Sequence, residues 1–426
     1  MRGPRKAFRL QLAAIVAGGV ALRLLYVFVL ARHVAMAGDS QFFHGEAKLV
    51  ADGKGYIEPF LEAAYGIRVP TAAHPPLYPT VLAGLSLVGG DGLLAQRALG
   101  AFFGGATIVL VALIARRVGG VRVALTAAAV AALYPPLVAA DGAPMSESLY
   151  GLLVAACLLV ALRMRERRSV GLAAALGALV GLAALTRSEA LLLVPLIALP
   201  LALSGPRPGR LRRTVAVLGA CAVVLAPWTI RNWSAFHGLT LISHNDSTVL
   251  AGANCPRTYS GIDLGGWRFD CISQRRTLRE GVQAARWRSE GIDYATDHAD
   301  RWPVVVPVRV LRTWDLWQPH RQVAFAEGRT RLGETIGVAA YFVLLPLGIA
   351  GGALLRRRQR TALAILLAPA VLVTVSSAIG YGVPRFRHAF EMSLVVLAAL
   401  ALVTFGERLA GSRRAVGRPA GGAGAQ

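Results

Sequence analysis

The sequence predicts an all-α polytopic membrane protein, with about ten transmembrane helices and interfacial helices in its first long loop. Three observations predict it. The 426 residues are 55% hydrophobic and 16% charged, with a mean hydropathy of +0.53, where soluble domains carry about 25% charged residues. The apolar residues come in runs of about 16 to 22, close to the roughly 20 that cross a bilayer core as helix. These runs lack the apolar–polar alternation of barrel strands, so helices are left as the spanning element.

The third observation is where the charge sits. A net charge of +23 invites a nucleic-acid reading, but such a surface is one contiguous basic patch. Here the basic residues fall in short clusters: Arg2, Arg5, Lys6 and Arg9; Arg116, Arg117 and Arg122; Arg163, Arg165, Arg167 and Arg168. The clusters continue with Arg207, Arg210, Arg212 and Arg213, then Arg356 to Arg358 with Arg360, then Arg408, Arg413, Arg414 and Arg418. Positive charge at every second loop is the positive-inside signature. It reports topology and adds contact with anionic headgroups.

The first span is read at 10–31, starting from the cytoplasm. Ala35-Met36-Ala37 resembles a signal-cleavage site, yet a secretory apolar region is only about 7–15 residues long. This run is longer and carries Arg23, so it reads as a retained anchor. Loop 32–76 follows on the outer side, with a helix over Ser40–Asp52 stopped by Gly53. Segment 77–90 is short and broken by glycine. Counting it as a span would put Arg116-Arg117 outside, so it is read as interfacial or re-entrant. Further spans are placed at 95–115, 122–140, 147–163, 169–187, 188–204, 212–230, 334–354, 361–380 and 388–406. Both termini then lie in the cytoplasm of a cell whose plasma or inner membrane holds the protein.

Four regions result. Residues 1–230 form an N-terminal transmembrane module whose first outer loop, 32–94 with its interfacial segment, holds the chemistry. Residues 231–333 form an extracytoplasmic region of short helices over that loop. Residues 334–412 are C-terminal helices, and 413–426 a disordered tail. No internal repeat and no Gly-rich phosphate loop stands out. Cys157 and Cys221 sit in apolar spans as small hydrophobes. Cys255 and Cys271 share the outer region, where thiols oxidise, and a disulfide is favoured over metal because no spaced His partners them.

Asp39 in Gly38-Asp39-Ser40 has two readings, a helix N-cap and a general base at the membrane face. His44 and Glu46 follow on the same helix, as solvated residues or as support for Asp39. His74 precedes Pro75-Pro76, which fix its direction; it either enters the next helix or contacts a lipid-linked phosphate. Asp141 and Glu147 bracket an outer turn between spans, and acids at a membrane rim point to function. Arg187 and Glu189 form another outer turn and pair with each other or serve the site. Arg385, Arg387 and His388 place positive charge on the outer side, against the topology rule. Arginine suits phosphate through its planar fork, and Glu391 stands one turn further in to orient one of these arginines.

Taken together, these motifs resemble the GT-C superfamily of membrane glycosyltransferases, in its protein-mannosyltransferase-like and aminoarabinose-transferase-like branch. The matching elements are Arg23, Gly38-Asp39 with Gly53-Lys-Gly-Tyr56, His74-Pro-Pro-Leu-Tyr78, Met145-Ser-Glu147, Thr186-Arg-Ser-Glu189, Pro227-Trp-Thr-Ile-Arg-Asn232 and Pro384-Arg-Phe-Arg387. The resemblance implies a polyprenyl-phosphate-linked sugar donor and an extracytoplasmic acceptor: protein, glycolipid or polysaccharide. It implies an inverting displacement with Asp39 as base, and Asp141 or Glu147 as the second acid. His74 stands where relatives carry a lysine on the donor phosphate, with Arg385 and Arg387 to compensate. Asp39-Ser40 replaces the two adjacent acids of many relatives, which leaves a divalent cation open; no metal ligand set is assigned. Two rivals are a transporter or flippase of lipid-linked sugars, and a non-catalytic assembly factor. Transporters carry repeated halves and mid-membrane charge, whereas the acids here gather at the rim.

Overall fold

The computed structural model describes residues 3–272, 277–322 and 328–416. It is helical almost throughout; among the described residues the only β-pairing is an isolated bridge between Ile57 and Pro70. In chain order the helices are α1 (Gly3–Leu25), α2 (Asp39–Ala51), α3 (Pro59–Tyr65), α4 (Leu77–Leu87), α5 (Leu93–Leu133), α6 (Pro135–Asp141), α7 (Glu147–Glu166), α8 (Val170–Ala184), α9 (Leu199–Leu203) and α10 (Arg210–Phe236). Then come α11 (Asn245–Ala253), α12 (Pro256–Tyr259), α13 (Glu280–Asp297), α14 (Trp302–Thr313), α15 (Pro319–Gln322), α16 (Arg331–Arg358), α17 (Arg360–Ile379) and α18 (His388–Val416).

Among the described residues, seven helices are long and apolar enough to cross a bilayer, and shorter apolar helices cover 77–87, 170–184 and 188–203. The protein is a multi-pass membrane protein. The 41-residue α5 is two helices joined at Gly120, whose φ of 84° breaks the helical path. Segment 188–203 is a succession of short helical turns carrying Pro195 and Pro200. Helix α4 has 11 residues, about 16 Å at 1.5 Å per residue, too short for a core of roughly 30 Å. The last helix runs on to Val416, past Arg413 where the sequence places a disordered tail; 417–426 lie outside the described residues.

Burial separates the centre of the bundle from its rim. The apolar windows of α7 and α18 are each 72% buried, against 28% for those of α1 and α10. Helices α5, α7 and α18 therefore form the centre, with α1 along α5, α8 along α10 and α16 along α18.

At one end of the bundle, α2 packs on α4 through Phe42, Phe43, Tyr78 and Leu82, with Met145 and Leu149 behind. The long segment after α10 folds over this layer. The His244 amide donates to the Ala72 carbonyl at 2.8 Å, and the Ala72 amide donates to Glu280 at 2.8 Å. Arg231 donates to the carbonyls of Tyr56 at 2.6 Å and Thr71 at 2.8 Å. The Gly382 amide donates to the Gly265 carbonyl at 2.9 Å, which ties in the turn before α18. Cys255 and Cys271 form a disulfide across a separation of 16 residues. By the chain-entropy relation, closing such a loop stabilises by about 3 kcal/mol.

Candidate active site

The first site residue opens α2. Gly38 has φ 56° and ψ −126°, a backbone shape glycine adopts without penalty, and the helix starts at Asp39. No side chain caps this helix. The capping reading of Asp39 is thus not realised, and both carboxylate oxygens are free for other partners. Oδ2 accepts from Arg385 at 2.9 Å, and Oδ1 lies 3.7 Å from His74 Nε2. His74 is fixed by packing as much as by polar contact: its ring sits 4.8 Å from Phe42 and 5.0 Å from Phe43.

From Asp39 a chain of alternating charge runs through four elements. Arg385, in the turn before α18, also stands 3.5 Å from Glu147 at the start of α7. Glu147 accepts from Arg187 at 3.1 Å, and Arg187 donates to Glu189 at 2.7 Å. Arg187 further lies over the Phe386 ring at 5.2 Å. Asp39 keeps 33% of its side-chain surface exposed, whereas Glu147 keeps 2%. Asp39 is therefore the more accessible acid, and Glu147 anchors the two arginines behind it.

Electrostatics sharpen the contrast. Burial pushes the Asp39 carboxyl up, but His74 and the Arg385 guanidinium outweigh it and hold the group at about 2. His74 is pushed below its ordinary range, first by burial; Asp39 pulls the other way, and Arg385 and Arg187 add to the lowering. At neutral pH the pair is a carboxylate beside a neutral imidazole.

Other candidates lie elsewhere. Asp141 is paired inside the bundle, apart from the Asp39 cluster. It is 4% exposed and accepts from Arg23 Nε at 2.7 Å. The same arginine donates to the carbonyls of Gly19, Ala131 and Ala132. A Cβ on Gly104 would strike both members of this pair, so the glycine in α5 is what lets them meet. Breaking a buried ion pair costs about 3–5 kcal/mol, while replacing both partners with apolar residues is often near neutral. Arg23→Leu is accordingly expected to lower thermal stability in detergent sharply, and Arg23→Leu with Asp141→Leu to recover most of it. An unchanged single variant would refute the structural role.

Arg387 is likewise enclosed. It donates to Asp315 at 2.7 Å and Glu391 at 2.6 Å, and its guanidinium lies 3.6 Å over the Tyr341 ring. Its charge is matched twice within the protein, so it holds the turn before α18 instead of offering itself to an anion. Glu391 does orient an arginine, and also accepts from Tyr134 at 2.9 Å. His388 lies against Gly151 in α7. With Arg329 and Arg385 it lines a small polar cavity of about 20 Å³, room for about one water. Arg329, which also pairs with Glu334 at 3.1 Å, escapes sequence reading because positive charge in a long loop breaks no rule.

On α2, His44 Nδ1 meets Gln96 of α5 at 3.1 Å, away from Asp39. Glu46 is 1% exposed and its Oε2 has no hydrogen-bond partner. Burial first, then Glu280 and Glu58, raise its carboxyl well above the ordinary range, with Arg231 opposing. A raised folded-state pKa means the native protein binds this proton more tightly than the unfolded chain. The associated stability is full below the ordinary value of 4.5 and is lost as pH rises through the folded value. Glu46→Gln is expected to flatten that decline in a thermal-stability series from pH 4 to 9; an unaltered slope would refute it. Among the described residues no group of three His, Cys, Asp or Glu side chains is placed to hold a metal ion.

This architecture, with its acid-bearing first loop against a central bundle, is the GT-C fold of membrane glycosyltransferases. Residues 73–231 match the family model described as dolichyl-phosphate-mannose-protein mannosyltransferase. The match spans His74, Glu147 and Arg187, and stops short of Asp39 and Arg385. No curated protein sequence matches the chain. Among solved structures, the Archaeoglobus fulgidus oligosaccharyltransferase tethered to an acceptor peptide containing the NVT sequon superposes with a TM-score of 0.60 at 15% identity, covering 96% of this chain and 51% of that one. The archaeal oligosaccharyltransferase AglB from the same organism, in complex with an inhibitory peptide and a dolichol-phosphate, gives 0.59 at 16% identity, covering 98% and 53%. The chain thus spans about half the length of these structures, and at such identities the likeness is one of fold.

Proposed function

We propose that the protein is a glycosyltransferase that moves a sugar from a polyprenyl-phosphate-linked donor to an acceptor hydroxyl on the extracytoplasmic side. The observation that carries this reading is Asp39 held between His74 and Arg385, one carboxylate oxygen toward each. The acceptor oxygen attacks the anomeric carbon as Asp39 takes its proton. The bond from that carbon to the phosphate oxygen breaks in the same displacement, so the configuration inverts and polyprenyl phosphate leaves. Arg385 meets the charge that develops on the leaving oxygen, with Arg329 and His388 beside it.

The low basicity of Asp39 in the ligand-free state fits this division of labour. A donor phosphate competes for Arg385, and each step of that guanidinium away from Oδ2 raises the proton affinity of the carboxylate. The base is strengthened by arrival of the donor. Glu147 and Arg187 keep Arg385 positioned, and are positioning residues. The extracytoplasmic placement rests on charge parity along the chain, and the lipid carrier on the fold relatives, one of which holds dolichol-phosphate.

The test is a membrane assay with radiolabelled polyprenyl-phosphate sugars and linkage analysis of the product. Label is expected to pass from lipid to acceptor with inverted configuration. Label that crosses the membrane still attached to its lipid would identify a flippase instead.

A further inference from the structure

A second cavity, of about 280 Å³, shares His74 as a wall with the Asp39 cluster. Its other walls include Glu58 from the first loop and His244, Glu280, Gln283 and Trp287 from the segment folded over it. Neither Arg385 nor Arg329 reaches it; both line the small cavity on the arginine side. Asp39 therefore has this cavity on the side of His74 and the Arg385 guanidinium on the other.

The walls of the larger cavity have a distinct chemistry. Gln283 is 4% exposed. Its side-chain oxygen accepts from the Thr277 amide at 3.0 Å, while its Nε2 has no partner. Leaving such a buried donor unpaired costs about 1–3 kcal/mol, which a ligand oxygen would offset. Trp287 lies four residues on along α13, on the same helix face, and sets a half-buried indole beside that amide. His244 is locked by Glu280 on Nδ1 and Thr240 on Nε2, each at 2.7 Å, so the polar wall is organised before any ligand arrives. Carboxylates at Glu58 and Glu280 repel a phosphate. One mode of extended-peptide docking pairs its backbone with a strand edge, and among the described residues the only β-pairing is the Ile57–Pro70 bridge. An aromatic face beside fixed polar groups, in a volume at the small end of ligand pockets of roughly 300–1,000 Å³, fits a ring bearing hydroxyls.

We propose that this cavity binds an uncharged sugar ring of the acceptor, so that the acceptor is a glycan or glycolipid and not a polypeptide. In a displacement the incoming hydroxyl and the leaving phosphate lie on opposite sides of the anomeric carbon. That matches a ring-sized cavity on the His74 side of Asp39 and Arg385 on the other. The word acceptor rests on the transferase reading above; recognition of the ring does not.

Saturation-transfer NMR on the full-length protein in nanodiscs tests this with methyl α-D-mannopyranoside and, in parallel, a threonine-containing decapeptide. The glycoside is expected to give signal and the peptide none. The signal should fall at least fivefold in Gln283→Leu and Trp287→Ala, return in Trp287→Phe, and persist when undecaprenyl phosphate is added. Signal from the peptide alone, signal indifferent to both variants, or displacement by undecaprenyl phosphate would each overturn the assignment. If the polyprenyl-phosphate assay shows no sugar transfer while the glycoside still binds, the transferase reading falls and the cavity assignment stands.

Discussion

Asp39→Asn is expected to cut the turnover of sugar transfer by about 10²–10⁴-fold, the range a positioned general base contributes, with polyprenyl-phosphate affinity nearly unchanged. Asparagine keeps the size of the side chain and can still accept a bond from Arg385, so the arginine stays in place to hold a phosphate. What disappears is the site for the acceptor's proton. The two effects separate in a donor-titration series: kcat falls and the dissociation constant for polyprenyl phosphate does not rise. Loss of donor binding in this variant, with turnover of bound donor intact, would exchange the roles of Asp39 and the arginines.

Arg385→Ala is expected to do the reverse and one thing more. A hydrogen bond to a charged group contributes about 1.5–3 kcal/mol, so donor affinity should fall by roughly 10- to 150-fold. The variant also removes one of the influences that hold Asp39 near 2, while the burial that raises it remains. The acidic limb of the kcat/KM profile should therefore move to higher pH. A limb that stays put or moves to lower pH would show that Asp39 is not the titrating base. Arg387→Ala is the informative comparison. It leaves Asp315 and Glu391 buried without their partner, and should lower stability by about 3–5 kcal/mol while the surviving folded protein binds donor normally.

The membrane architecture is legible in the sequence because the bilayer imposes simple rules. Length of apolar run locates the long helices, and brevity sets 77–87 apart from them. Parts of the site are legible too: Arg385 stands out as positive charge in a short turn between apolar helices, and Glu147 because it opens an apolar helix. Partnerships between distant segments are not. Nothing in the spacing says that Asp141 answers Arg23, 118 residues away, so one of two acids flanking the same turn goes to the bundle and the other to the site. Arg387 did carry a local signal, since Glu391 is four residues on, within reach along a helix. Gln283 and Trp287 share that spacing on α13, yet only the folded structure shows the cavity they face. Asp315 has a φ of 55° and a side chain 1% exposed, in a turn with no periodicity to read.

The contact between Asp39 and Arg385 joins positions 346 residues apart. During synthesis, the carboxylate emerges with the first helices, and its guanidinium follows only after most of the described helices have been made. A nascent or truncated polypeptide carries half of this ion pair and none of the turn that presents the rest. The charge pair is thus completed in one late step, and a chain cut short before the turn that precedes α18 carries only its acidic half.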